Sequence, residues 1–322
     1  MNDRPANTLA SASSLEELYP ELAQRCMTAG WHKARPSLWP EPRSAFKPRH
    51  WRYADARLAM DRAGEWIGTE LAERRNLLTF NPVGDNDYAT ARTLVSAYQM
   101  IKPGEHARTH RHTPNALRVV LDSADGVYTV VNGVRLAMRP GDVLLTPNWC
   151  WHSHYNEGNQ NAYWIDMLDV PLVHLLEPMF FEPHPDDYQE TIATPDESEF
   201  LFTQRAAEAA LANLAPDRGG SCKLVLPSQA HIPTMELAFN SIRAAGTLAL
   251  ARSTCSRIMA VSAGHGDARI GDQCFEWSRG DLFVVPAWTN CQIDAKEASL
   301  LFNASDAPVL KALGFYREEA RA

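Results

Sequence analysis

No run of about 18 apolar residues, the length a helix needs to cross a bilayer, occurs in the chain, so no segment is expected to span a membrane. The first 30 residues carry acids and no apolar stretch of signal-peptide type, which argues against secretion. Positive charge is in short supply. Lys and Arg number 31 against 39 Asp and Glu, a net charge of −8. Broad nucleic-acid binding, which needs a basic face, is therefore not expected. A local basic pocket around a small anion stays open. Paired cysteines are missing too. Cys26, Cys150, Cys222, Cys255, Cys274 and Cys291 are scattered without a CxxC, and they read as reduced thiols of a cytoplasmic protein rather than a disulfide framework. What is present, 45% hydrophobic and 22% charged residues, is ordinary for a globular protein.

Four regions are expected along the chain. Residues 1–90 read as an N-terminal helical and irregular segment, opening with a loose arm to about residue 14. Helices are expected over 14–30, where Ser14 stands three residues before Glu17, and over 55–75, with a proline-rich stretch between them. Residues 91–180 change to short β-rich runs (TLVSAYQMI, ALRVVL, VYTVV, VRLAM, DVLLTP, AYWIDML) split by PG, DG and NG turns, the spacing of a sandwich or barrel. Residues 181–235 are a linker with a helix near 198–214, and 236–322 are β-rich again. The two β-rich blocks repeat. Under one ungapped shift of 139, Gly141, Asp142, Pro147 and Trp149 fall on Gly280, Asp281, Pro286 and Trp288, and Arg118 falls on Arg257. The fold class expected is mainly β, two barrels of one design in a single chain.

His110 and His112 are two apart, so a strand would place both on one face and Arg111 on the other. His152 and His154 repeat the spacing. Two imidazoles from one strand and one from another make a facial set that leaves positions open for substrate and dioxygen, which suits non-haem Fe(II). A lone histidine is as often a hydrogen-bonded core residue; the weight rests on the combination of HxH after PG with G-D, P and H at regular turn spacing.

That combination resembles the cupin superfamily. Gly104 stands six residues before His110, and Pro147, His152 and Asn156 follow the order of its second motif. The glutamate usual after HxH is missing from TPNALR, which leaves three neutral imidazoles and the ion's full +2 charge to attract an anionic chelating ligand. HRHTPNALR, WHSHYN, YWIDMLDVPLV, PSLWP, AERRNLLTFNP, RIGDQCFEWSRGDLFVVPAW and LGFYREE together resemble the bicupin gentisate and salicylate 1,2-dioxygenases, over roughly residues 15–320. The resemblance implies two cupin (jelly-roll) barrels and one Fe(II) per chain, in the N-terminal barrel. The implied reaction is cleavage by O2 of a hydroxybenzoate ring, between the carboxyl-bearing and the ortho-hydroxyl-bearing carbons. It also implies a homotetramer. His110, His112 and His152 are the expected ligands, His152 preferred over His154 by its place in the second motif. His154 is implied to touch substrate or a reacting oxygen. Arg118, with a guanidinium fork that suits a planar carboxylate, is expected to hold the substrate's anion. Arg74 and Arg75 resemble an N-terminal contribution to the pocket, only one of them facing inward; a solvated helix end is the alternative. Asp166 either orients a ligand histidine or serves an ordinary strand-end turn.

The shift of 139 carries His110, His112 and His152 to Ala249, Ala251 and Cys291, so the second barrel is expected to hold no metal and to serve structure and assembly. His265 is expected in an exposed turn. The chain departs from its family in TLVSAYQ, where TLWAG is usual: Val95 and Ala97 stand in place of tryptophan and glycine, on the strand face they share with Gln99. A few carbons in a pocket are worth about 1–3 kcal/mol of discrimination, so the expected substrate is gentisate or a salicylate with a different group para to the hydroxyl, another aminated or halogenated hydroxybenzoate being a further candidate. Two other classes fit less well: a cupin isomerase or epimerase using Mn or Zn on a sugar acid, and a non-catalytic binder of small aromatic acids.

Overall fold

The computed structural model describes residues 8–32, 38–69, 71 and 73–319; residues 1–7 of the expected arm, Pro36 and Ser37 of the proline-rich stretch and Ala72 of AERRN lie outside them. Residues 1–43 and 44–322 form separate units. In the first unit the Ser14 hydroxyl accepts the Glu17 N–H at 3.3 Å and starts the helix Leu15–Gln24, while the Glu17 carboxylate turns back to the N–H of Ser13 at 2.9 Å. The helix stops short of Gly30 because Cys26 takes a left-handed conformation, φ 56°.

Among the described residues the second unit holds 21 strands. β1 (Arg49–Trp51) and β2 (Arg75–Leu78) flank the helix Tyr53–Trp66. That helix ends at Ile67 and Gly68 rather than running to residue 75, a β-branched residue and a glycine being poor helix formers. β3 (Val95–Ile101), β4 (His106–His112), β5 (Ala116–Asp122), β6 (Val127–Val131), β7 (Val134–Ala137), β8 (Val143–Thr146), β9 (His152–Asn156) and β10 (Ala162–Leu168) make the first barrel. β11 (Phe181–Pro183), β12 (Leu201–Phe202), the helix Gln204–Leu211 and β13 (Ser221–Val225) follow. The second barrel is β14 (Glu236–Ile242), β15 (Thr247–Leu250), β16 (Arg257–Ala263), β17 (His265–Ile270), β18 (Gln273–Ser278), β19 (Leu282–Val285), β20 (Cys291–Ala295) and β21 (Ser299–Ser305).

Each barrel is a pair of antiparallel sheets. The first joins β12-β8-β5-β10-β3-β2 to β11-β4-β9-β6-β7; the second joins β1-β19-β16-β21-β14-β13 to β15-β20-β17-β18. Alternation along the strands sorts their side chains into three cores. Ile101, Val120, Trp164, Val131 and Leu136 fill one end of the first barrel, and Met259, Val261, Ile270, Phe283 and Val285 fill the second. The opposite faces of the two six-stranded sheets pack on each other: Tyr98, Met100, Leu117 and Ile165 share one cluster with Phe239, Ile258, Leu282 and Phe302. This is why β3 and β10 are apolar on both faces and read as continuous runs.

A pseudo-twofold relation extends past the barrels. β12 adds to the first barrel beside β8, and β1 adds to the second beside β19. Just after each, a helix starts against a G-D turn. The Asp142 carboxylate accepts the Gln204 N–H at 2.9 Å, and the Asp281 carboxylate accepts the Tyr53 N–H at 2.9 Å. Each helix then lies back on the other barrel, Tyr53–Trp66 on β2 and β3, Gln204–Leu211 on β13 and β14. The hydroxyl of Thr93 donates to Asp306 at 2.5 Å and that of Thr234 to Asp169 at 2.6 Å, a reciprocal pair of bonds between the barrels. Both P-x-W turns hold tryptophan at positive φ, Trp149 at 61° and Trp288 at 57°. The repeat is therefore a property of backbone geometry and not only of residue identity. In one strand the uniform shift slips. β4 bulges between Ala107 and His110, and register sets Leu250, not Ala249, opposite Cys291 where His110 stands opposite His152.

Candidate metal centre and active site

β4 and β9 are neighbours, and their register sets His110 opposite His152. His112 follows on the same face, so three imidazoles meet at the open end of the first barrel, opposite the end filled by Ile101 and Trp164. One nitrogen from each of His110, His112 and His152 lies within 4.8 Å of the others. Their other nitrogens are spoken for. Nδ1 of His110 bonds the Arg108 carbonyl at 3.0 Å, Nδ1 of His112 the Pro114 carbonyl at 2.8 Å, and Nδ1 of His152 the Cys150 carbonyl at 3.0 Å. A carbonyl can only accept, so each Nδ1 carries the proton and each Nε2 presents a lone pair to the common centre. Burial pushes His110 down to about 3, with Arg74 adding to the effect, and lowers His112 and His152 as well. All three rings are neutral near pH 7, the state a metal requires. The donor set fits a divalent ion without a carboxylate ligand.

His154 is 1% exposed and its two nitrogens have no hydrogen-bond partner. A buried polar ring without a partner is costly, and the missing partner is one a bound molecule can supply. Its ring is 5.9 Å from that of His152 and 5.8 Å from that of Trp164.

The anion-binding side comes from the six-stranded sheet. β5, β10 and β3 place Arg118, Asp166 and Ala97 in one cross-strand row. Arg118, 1% exposed, donates from Nε to Asp166 at 3.2 Å and from Nη1 to the Thr146 hydroxyl at 2.7 Å. The second Asp166 oxygen accepts Gln99 Nε2 at 2.6 Å, and the Gln99 carbonyl accepts Arg74 Nε. One relay thus runs Arg74, Gln99, Asp166, Arg118, Thr146. Asp166 thus pairs with Arg118 alone, while Arg74 joins through Gln99 and has Glu73 at 3.9 Å. Asp166 contacts Arg118 and Gln99 rather than a ligand histidine. Val95, Ala97 and Gln99 are buried on the shared face of β3.

Arg75 goes elsewhere. It is a strand residue, not a helix end. Its guanidinium is held by the Glu105 carboxylate and the Ile67 carbonyl, away from the relay that takes Arg74. Arg111, on the outer face of β4, is stacked over Trp149 and Trp151 at 4.5 and 4.4 Å and paired with Glu182 at 2.7 Å. His265 pairs with Glu297 at the surface.

Two neighbours carried no signal in the sequence. Thr146 reaches Arg118 from the end of β8. Phe181, on β11, sets its ring 5.1 Å from His110 although it is 65% exposed. Both contacts come from pairings that no local pattern announces.

Comparison with known proteins places this geometry. The Cupin domain model matches residues 97–168. The 5-aminosalicylate 1,2-dioxygenase of Comamonas sp is 33% identical, over 96% of this chain and 91% of its own. A gentisate 1,2-dioxygenase of Streptomyces sp is 34% identical, over 94% of each chain. The crystal structure of salicylate 1,2-dioxygenase from Pseudaminobacter salicylatoxidans matches with a TM-score of 0.85 at 27% identity, over 98% of this chain and 99% of the other. A variant of that enzyme in complex with gentisate matches with a TM-score of 0.88 at 27% identity, over 98% and 96%. With its two barrels, three converging imidazoles and full-length likeness to these enzymes, the chain belongs to the cupin family of ring-cleaving 1,2-dioxygenases.

Proposed function

We propose that this dioxygenase opens a 5-substituted salicylate, in the class of 5-aminosalicylate or gentisate, using one Fe(II) held by His110, His112 and His152. The bond broken joins the carboxyl-bearing and hydroxyl-bearing ring carbons. Both atoms of O2 enter the product, one as the keto oxygen at the first carbon and one in the new carboxylate at the second. The observation that carries the metal assignment is the tautomer: three backbone carbonyls fix the proton on three Nδ1 atoms and leave three lone pairs within 4.8 Å. When bound, Fe(II) supplies Lewis acidity toward the phenol and a site for dioxygen.

The protein's own groups do the rest. Arg118, its planar fork fixed by Asp166 and Thr146, takes the substrate carboxylate by charge-assisted bonds. Arg74 adds a second positive charge through Gln99, which raises the preference for a doubly charged ligand. His154, held neutral by burial, bonds the ring hydroxyl oxygen and can hold or release a proton at the nitrogen facing it. Val95 and Ala97 form the wall that reads the ring substituent. We further propose that the protein works in the cytoplasm as a homotetramer.

The test is anaerobic loading with Fe(II), then oxygen uptake across gentisate, salicylate and 5-substituted salicylates, with the ring-opened acid identified by mass. His110→Ala should lose bound iron and turnover together while keeping the fold. Turnover retained without stoichiometric metal would overturn the ligand assignment, and substrate binding without oxygen uptake would overturn the reaction.

A further inference from the structure

The second barrel keeps half of the anion site. Arg257 pairs with Ser305 in register as Arg118 pairs with Asp166. It shares the inward face of β16 with Met259 and Val261, which fill the barrel. The carboxylate that neutralises Arg118 has no equivalent here, because a serine occupies its place. Arg257 is half-buried and forms no ion pair among the described residues; its one hydrogen bond goes from Nη1 to the Ser253 hydroxyl at 3.1 Å.

The carboxylates nearby are committed to other partners. Glu236, on the far side of Ser305 in the same row, takes Lys223 at 2.6 Å and Lys311 at 3.6 Å. Asp306 takes the Thr93 hydroxyl and the Ser256 N–H. Burial raises the Asp306 carboxyl, and Arg257 offsets part of that effect without forming an ion pair with it. One row further in, where the first barrel has Trp164, stands Asn303. It is 3% exposed and its Oδ1 has no hydrogen-bond partner. The wall opposite is apolar: Cys291 replaces His152 and Leu250 replaces His110, with Val285 beside Arg257. Burial pushes the Cys291 thiol up to about 12, against the pull of Arg257, so it stays an uncharged surface.

An unpaired guanidinium, an unpartnered buried amide and an apolar wall are complementary to a small organic acid. We propose that the Arg257 end of the second barrel is a metal-independent binding site for a small aromatic carboxylate, anchored by Arg257 and oriented by Asn303. The amide can present either its oxygen or its nitrogen to a polar substituent on the ligand's ring. The site does not depend on the ring-cleavage assignment, since none of its groups belongs to the first barrel.

The test uses the intact chain and 4-fluorobenzoate, which lacks the ortho oxygen needed to chelate a metal, followed by fluorine NMR. Arg118→Gln silences the first barrel's anion site. The Arg118→Gln chain should still bind one 4-fluorobenzoate. Arg118→Gln with Arg257→Gln should bind at least about tenfold more weakly. Arg118→Gln with Ser305→Asp should weaken binding to a similar degree, because the new carboxylate stands where Asp166 stands and neutralises Arg257 with no metal to restore positive charge. If the double glutamine variant does not melt cooperatively, the Ser305→Asp variant decides, since it adds a pair rather than removing one. No binding by the Arg118→Gln chain, or equal binding by all three, overturns the proposal.

Discussion

A carbonyl oxygen two residues away decides which nitrogen of each histidine can bind a metal. That constraint is local. The convergence of the three rings was legible for another reason: alternation puts His110 and His112 on one strand face, and β9 brings His152 opposite. The relay from Arg74 to Thr146 was only partly readable, because its members lie just before β2 and on β3, β10, β5 and β8, and meet through pairing, not through spacing. On the proposed function, substrate choice turns on Val95, 3% exposed on the face that also carries Ala97 and Gln99. Val95→Trp should change the ratio of kcat/KM between a 5-substituted and an unsubstituted salicylate by roughly 10- to 200-fold, the worth of a few carbons in a pocket. Steady-state oxygen uptake on both substrates measures it; an unchanged ratio would remove Val95 from the substrate-reading wall.

Among the elements, interior strands were legible as short β-rich runs between turn signals, and VYTVV and AYWIDML match β6 and β10 residue for residue. The short strands that join the barrels from outside were not. β1, β2, β11 and β12 are two to four residues long and are strands only because a neighbour offers free backbone groups. The G-D turns show the same dependence. Gly280 has φ 88°, and a methyl group there would meet Tyr53 Cδ1 at 2.4 Å. Gly280→Ala should destabilise the chain by more than about 1 kcal/mol, while Gly30→Ala, with nothing within 4 Å, should be near neutral; thermal melts of both decide it. β2 is fastened by Arg75 on Glu105. Burial raises the Glu105 carboxyl, but Arg75 and the Lys102 N–H outweigh it and hold the group below the usual carboxylate range. Its folded pKa is depressed, so its contribution is complete above the unfolded value and is lost as pH falls through the folded one. Glu105→Gln should therefore lower the melting temperature at pH 7, by roughly 1–3 kcal/mol of stability, and should flatten the fall in melting temperature between about pH 6 and pH 3. A wild-type slope retained by the variant would remove this pair from the acid response.

Taken whole, residues 44–322 are two copies bound by exchange. Each copy sends a strand to the other's sheet and lays its helix back on its own, and each fixes the other through one aspartate and one threonine. The duplication was visible in GDVLLTPNW and GDLFVVPAW; the exchange was not, since nothing in residues 49–66 advertises a partner more than 200 positions away. Cutting the chain in the exposed stretch before Ser198 and co-expressing the pieces should give a soluble two-piece complex, whereas either piece alone should aggregate with its half of the central core uncovered. Separate purification of a monodisperse half would refute this. The barrel without the three converging imidazoles is consequently not a remnant awaiting loss. A lineage that discarded it would also strip a strand and a helix cap from the barrel that does the chemistry, so deletion is barred while drift inside the idle half stays cheap, and that half is where new binding properties can accumulate.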